Sequence, residues 1–451
     1  MPGSHRRHLT RPIRGIGTAL PIAGLLVLPA CASSPSPAAS GPTASTAAGS
    51  SSAASSPSTT GAGSGVTPSE GPPVLRAYEF PGGMIEGALG GGKLYTRVEA
   101  VVAVPAGTGR HPVAVIVHGS YPSCVNLAKD KLFTSDVLSV RWPEGCPTQT
   151  FDQGEGLTSG PDYVRSTASF AYLARELAQR GFVVVTPDVN TKERFDWGGE
   201  PDPQILQTNL VKLHLDLLRR IDAGDGLGLA WSGELRGRMD TRTVAVIGHS
   251  SGGGYALQAG YGDIPGTKAV AAIEPAFKSV PKARIAGPPT FILMGECDEQ
   301  IPIADSRREV ADLVRANPST AVVSATMAHA THIGMLTGGG SHTIGLVTPS
   351  SSPACAAKAL LNRTLQRAAT ARITGDFLVQ AFAGTATYAL TTVEGATVTA
   401  AAKGPASVTV AVAPSAPEGV DPKSLTFTSS ETRVLPAKPA GLKLNGGPGH
   451  L

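Results

Sequence analysis

Between residues 97 and 325 the chain alternates short, largely apolar runs with stretches of helical spacing. The apolar runs fall at 97–104, 113–117, 182–186, 243–247, 269–273, 290–294 and 321–325. Such runs, unlike apolar–polar alternation, fit strands covered on both faces. Between them, 167–180 reads as a helix closed by Gly181. Leu206, Leu210, Leu213 and Leu217 recur at helical spacing, and 302–314 forms a further helix. Residues 356–382 read as the helix that closes the fold. Strands alternating with helices predict an α/β fold: a doubly wound, mostly parallel sheet. The segment 277–289 spans only 13 residues, too few for a large lid, so an open site is expected.

The ends of the chain follow other patterns. A basic stretch from His5 to Arg14 precedes an apolar run at 15–30, which is the form of an export signal over 1–31. That run is shorter than the roughly 20 residues needed to span a bilayer. Leu28-Pro29-Ala30-Cys31 resembles a lipobox, which would make Cys31 a lipidation site and the anchor to a membrane. Pro29 departs from that pattern and keeps ordinary cleavage open. Arg6-Arg7 keeps both the general and the twin-arginine export routes open. Residues 32–72 are almost wholly Ser, Ala, Pro, Thr and Gly and predict a disordered tether, with a reach of roughly 35 Å. The folded domain is expected over 73–385. Residues 386–451, with weak strand patterns at 396–400 and 407–412, predict a short C-terminal extension, either a small β element or a loose tail.

Charge changes the picture little. The 38 basic residues exceed the 34 acidic ones by four. Arg6, Arg7, Arg11 and Arg14 supply that excess within the leader. The rest is balanced and shows no basic stripe, which argues against a nucleic-acid partner. Setting Cys31 aside, Cys124, Cys146, Cys297 and Cys355 remain. An even count in an exported chain suggests two disulfides with three possible connectivities. Cys124–Cys146 and Cys297–Cys355 are favoured, the first flanking one loop and the second tying two. No Cys/His spacing suggests a metal, and no cofactor is called for.

The strongest chemical signal is Gly248-His249-Ser250-Ser251-Gly252, directly after the strand at 243–247. A G-x-S-x-G run between a strand and a helix start lifts one serine onto a tight turn, where flanking side chains have no room. A serine hydroxyl is a weak nucleophile unless a base takes its proton and an acid orients that base. Asp298 lies at the carboxyl end of a strand, where ligand-facing groups gather in open α/β sheets. Glu274, at the previous strand end, is the competing acid; Glu296 and Glu299 read as solvated neighbours. His332, in the loop after the last strand, is the favoured base, with His329 as the alternative. His214 reads as a surface residue on the leucine-rich helix, and His342 lies in a Gly/Ser loop. His249 is expected to pack within the turn. Two backbone amides should face a developing oxyanion, those of Ser251 and of Ser120, with Tyr121 next. His118 reads as a buttress of that loop. The Tyr121 ring either floors a pocket or packs as an ordinary tyrosine.

His118-Gly119, the Gly248–Gly252 run, Gly295 through Asp298, and His332 together resemble the α/β-hydrolase superfamily. Within it the chain is most similar to exported actinobacterial esterases related to dienelactone hydrolases, platelet-activating-factor acetylhydrolases and polyester-degrading cutinase-like proteins. Residues 171–178 and 181–185 look like their first helix and following strand, and Cys124, Cys146 and the Cys297-Asp298 pair recur there. Ser251 stands where many members carry Met, Arg or Gln, and nothing beyond residue 386 matches. The resemblance implies a secreted or lipid-anchored serine hydrolase acting on small-molecule, lipid or polyester carboxylic esters. It would work through an acyl-enzyme on Ser250. An acyltransferase or peptidase would use the same residues, and a non-catalytic surface lipoprotein could keep the scaffold.

Overall fold

A computed structural model describes residues 66–88, 92–119, 125–126, 131–132, 167, 169–189, 203–277, 287–336 and 352–413. The leader with Cys31, most of the tether, Ser120, Tyr121, Cys124, Cys146, His342 and the end of the chain lie outside these residues.

The strands are β1 (Val74–Ala88), β2 (Gly92–Val104), β3 (His111–Val117), β4 (Val125–Asn126), β5 (Lys131–Leu132), β6 (Val183–Pro187), β7 (Met239–His249), β8 (Thr267–Ile273), β9 (Thr290–Gly295), β10 (Val322–Met327), β11 (Thr387–Val393), β12 (Val398–Lys403) and β13 (Ser407–Ala413). Nine form one sheet in the order β1-β2-β6-β3-β7-β8-β9-β10-β12. The run from β6 to β10 is parallel. Antiparallel strands close both edges, β1 and β2 at one and β12 at the other. The helices are α1 (Ala171–Gln179), α2 (Pro203–Asp222), α3 (Ser251–Gln258), α4 (Ile303–Ala316) and α5 (Arg363–Ala383).

Each central strand is apolar throughout because its side chains enter two cores in turn. Ala114, Ile116, Ala245 and Ile247 join α1 and α5 on one face. Val113, Val115, Val244 and Val246 join α2, α3 and α4 on the other. Helices therefore cover both faces, which is the α/β-hydrolase architecture. Arg180 ties α1 to α5, with Asp376 at 2.6 Å and Glu176 at 2.9 Å. The Asn362 side chain caps the first turn of α5, and Gly384 ends it in the left-handed conformation.

Two expected boundaries differ. Residues 66–72, assigned to the tether, lie along the domain: Ser69 N donates to Gln179 O and Glu70 N to Ala106 O. Val66 packs on the core. The segment after 386 is also not wholly an appendage. Its strand β12 is the last strand of the main sheet, paired with β10 from Val322↔Lys403 to Met327↔Val398. Strands β11 and β13 pair parallel beside it. Tyr388 stacks at 5.0 Å on Phe377, which stacks at 5.3 Å on Phe291 of β9. The weak apolar pattern hid this because an edge strand needs only one buried face. The 277–289 connection is described only at its ends.

Candidate active site

Ser250 sits between β7 and α3 with φ 55° and ψ −123°, a left-handed conformation that costs a non-glycine residue about 1–3 kcal/mol. Backbone bonds hold it there. Its N–H donates to Ile273 O at 3.0 Å, and its carbonyl accepts from Gly254 N at 3.0 Å and Ala276 N at 2.8 Å. The flanking glycines are required by contact. A Cβ on Gly252 would stand 2.2 Å from Val117 O and 2.6 Å from His118 O, and one on Gly254 would stand 2.2 Å from Ala276 O. Ser251 opens α3, so its amide belongs to the first helical turn, where backbone donors point outward.

Asp298 follows β9. Its Oδ1 accepts from Gln300 N at 2.8 Å and Ile301 N at 2.7 Å. Its Oδ2 lies 2.8 Å from His332 Nδ1. His332 is fully buried, and its ring lies 4.4 Å from that of His249, the residue before Ser250. Its Nε2 makes no hydrogen bond to Ser250 or to any other described residue. The structure thus brings Asp298 and His332 together, beside the Ser250 turn.

The two histidines of Ala328-His329-Ala330-Thr331-His332 part company. His329 has a left-handed backbone, φ 59°. Its side chain is 43% exposed, and its Nδ1 lies 2.8 Å from the Ala354 carbonyl. Among the described residues its side chain meets Ala354 and Glu296, not Asp298. Two residues hold the His332 turn: Glu299, read from the sequence as solvated, and Gln366, which no sequence signal marked. Glu299 accepts from His332 N at 2.9 Å and Ile333 N at 3.4 Å, so it is more than a solvated neighbour. Gln366 of α5 grips Thr331 by donating to its carbonyl at 2.6 Å and accepting from its amide at 3.2 Å. These contacts join residues more than 30 positions apart in the chain, beyond the reach of local pattern.

Glu274 is also buried at this place. Its Oε2 is 3.2 Å from His249 Nε2 and 3.5 Å from His332 Nδ1. Burial, and then the charges of Asp298 and Glu299, push its pKa well above the usual carboxylate range. His249, Glu274 and His332 hold potential metal-ligand atoms within 4.8 Å of one another. All three are already hydrogen-bonded or ion-paired among themselves and with Asp298. Glu296, Cys297 and His329 form a second such group, but Cys297 offers no thiolate there. It is joined to Cys355 with an S–S distance of 2.08 Å.

His118 is buried, with Nδ1 on Gly119 O at 2.8 Å and Nε2 accepting from Val189 N at 2.9 Å. His214, expected at the surface, is instead fully buried. Its Nδ1 meets the Tyr78 hydroxyl at 2.5 Å, and burial lowers its pKa to about 3. The leucine stripe on α2 set the buried face too narrowly, because β1 covers the next position.

Comparison with known proteins points the same way. A family model described as PETase, PET hydrolase-like, matches residues 145–343. Cutinase 2 of Thermobifida cellulosilytica is 38% identical over 98 residues, covering 22% of this chain and 31% of that protein. A cutinase of Thermobifida fusca is 38% identical over 98 residues, 22% of this chain and 25% of its own. The bis(hydroxyethyl) terephthalate hydrolase of Streptomyces coelicolor is 35% identical over 114 residues, 25% of this chain and 31% of its own. The matched region thus spans about a third or less of each relative. With this sheet and this serine turn the chain has the α/β-hydrolase fold, and over the matched regions it is similar to the PET hydrolase-like family and to cutinases.

Proposed function

We propose that this protein hydrolyses carboxylic esters through an acyl-enzyme on Ser250. The observation that carries this reading is the 2.8 Å contact between Asp298 and His332 Nδ1, with Nε2 left without a hydrogen-bond partner among the described residues. Asp298 orients the ring and fixes the proton on Nδ1. Nε2 takes the Ser250 proton as Oγ attacks the ester carbonyl. The tetrahedral oxyanion is held by the amides of Ser251 and Ser120. His332 then hands its proton to the leaving alkoxide, and water repeats the sequence to free the acid. Hydrogen bonds between base and nucleophile commonly tighten only with substrate in place.

The class of substrate follows the relatives, whose names specify cutin-type and terephthalate esters. Aromatic or aliphatic polyesters and their short ester fragments are the substrates to try first. Export through the leader, with lipid on Cys31, would put the enzyme outside the cell where such polymers occur. Among the described residues no helix is long and apolar enough to cross a membrane.

The test is Ser250→Ala against wild type on p-nitrophenyl esters, with a fluorophosphonate probe. Ser250→Ala should lose at least 10³-fold in kcat/KM and all labelling. Full activity in the variant, or an unlabelled wild-type chain, refutes the reading. Added alcohol acceptors separate hydrolysis from acyl transfer.

A further inference from the structure

One buried acid has no task in that mechanism. Glu274 follows β8 with φ 45°, an uncommon backbone for a residue with a side chain. Such strain persists where the surrounding structure demands it. The N–H of Glu274 is pinned to Leu293 O at 2.7 Å. The neighbouring strand makes room for its carboxyl: a Cβ on Gly295 would stand 2.2 Å from Glu274 Oε1. Oε1 itself is buried and has no hydrogen-bond partner among the described residues. An acid buried without full satisfaction is expensive, so its presence asks for a reason.

The surroundings supply one. His249 of β7 faces Oε2 at 3.2 Å, and His332, from the loop after β10, faces it at 3.5 Å. Asp298 and Glu299, from the turn after β9, act on it as charges. Tyr172 of α1 is near enough to feel its charge, and Arg367 of α5 acts on Tyr172 in turn.

We propose that Glu274 is a second positioning acid for His332, sharing the Nδ1 proton with Asp298 and braced by His249. This rests on the reading of His332 as the base. Asp298, with two backbone donors on Oδ1, is the hydrogen-bonded partner of Nδ1. Glu274 keeps its own proton in the dry interior. An uncharged second acid suits a base that must also give its proton up. Two fixed carboxylates would hold the proton on the ring and slow its passage to the leaving group. If Asp298 is removed, Glu274 loses the larger of the two charges that disfavour its ionisation, and its carboxyl, 3.5 Å from Nδ1, takes over the orientation of the ring.

The experiment compares wild type, Glu274→Gln, Asp298→Ala and the double variant on p-nitrophenyl butyrate from pH 5 to 10. Ser250→Ala and His332→Ala serve as blanks, and thermal melts check folding. Asp298→Ala should keep a residual rate above the blanks that rises with pH. Adding Glu274→Gln should cut that residual at least 10-fold at pH 9 and flatten its pH profile. Coincident Asp298→Ala and double-variant profiles overturn the proposal. Should the double variant not fold, the Asp298→Ala profile decides, and a pH-independent rate overturns it. An active Ser250→Ala would instead sink the proposed function itself. Inactive blanks with coincident Asp298 variants would sink only the role of Glu274.

Discussion

A Cβ placed on Gly248 would sit 2.0 Å from the carbonyl oxygen of Gly252. The two outer glycines of the serine turn touch each other, and Gly252 in turn touches β3. The motif is therefore a packing requirement between three backbone segments. Gly248→Ala should disrupt the turn, through overlap with backbone that cannot step aside. We expect kcat/KM on short esters to fall at least 100-fold and the melting temperature to drop by several degrees. An alanine variant with wild-type activity would contradict the turn geometry.

The two loop histidines give a clean contrast. His332 is buried on Asp298, and His329 turns outward to Ala354. His332→Ala should lower kcat by 10³-fold or more, whereas His329→Ala should leave kcat within about threefold. Steady-state kinetics on both variants checks this, and the reverse ranking would exchange their roles.

His214 makes a pH prediction for stability. Its folded pKa of about 3 lies below the ordinary value of 6.5. Between those two values the unfolded chain binds the proton and the folded chain does not. Stability is therefore whole above pH 6.5 and falls as pH drops toward 3. At pH 5 the loss from this one group is about 2 kcal/mol. Glu274 acts in the opposite direction. Its raised pKa means that the folded state keeps a proton that the unfolded state releases, so its contribution falls as pH rises through and above the usual carboxylate range. Urea unfolding from pH 4 to 9 should show His214→Leu flattening the acid side and Glu274→Gln flattening the alkaline side.

The segment after residue 386 should prove inseparable from the domain. Truncation at residue 385 removes Tyr388, Leu390 and Val393 from the core and strips β12 from β10. An exposed edge strand above an opened core favours aggregation. We expect the truncated chain in the insoluble fraction. Within the full chain, Tyr388→Ala should cost about 3 kcal/mol or more, measured by denaturant titration.

Much of this molecule follows from local pattern. The seven apolar runs became β2, β3, β6, β7, β8, β9 and β10, because a strand buried on both faces carries few polar positions to blur the signal. The turn at Ser250 was legible because its strain and its contacts demand glycine at set offsets from the serine. Asp298 could be placed at a strand end for the same reason, since chain order fixes which ends of parallel strands share a rim.

Pairings across the sheet were not legible. The chain favoured His332 over His329 from its place in the loop but did not show the contacts that set them apart: a left-handed backbone at 329, and the grip of Glu299 and Gln366 that puts His332 on Asp298. Nor could it show that Glu274 and Asp298 converge on one nitrogen, that His214 is roofed by Tyr78, or that β12 completes the sheet. Sequence determines the elements and the local turns, whose energies depend on near neighbours. Which side chains meet at the rim depends on sheet order and register, which contacts between distant segments set only when the whole fold closes.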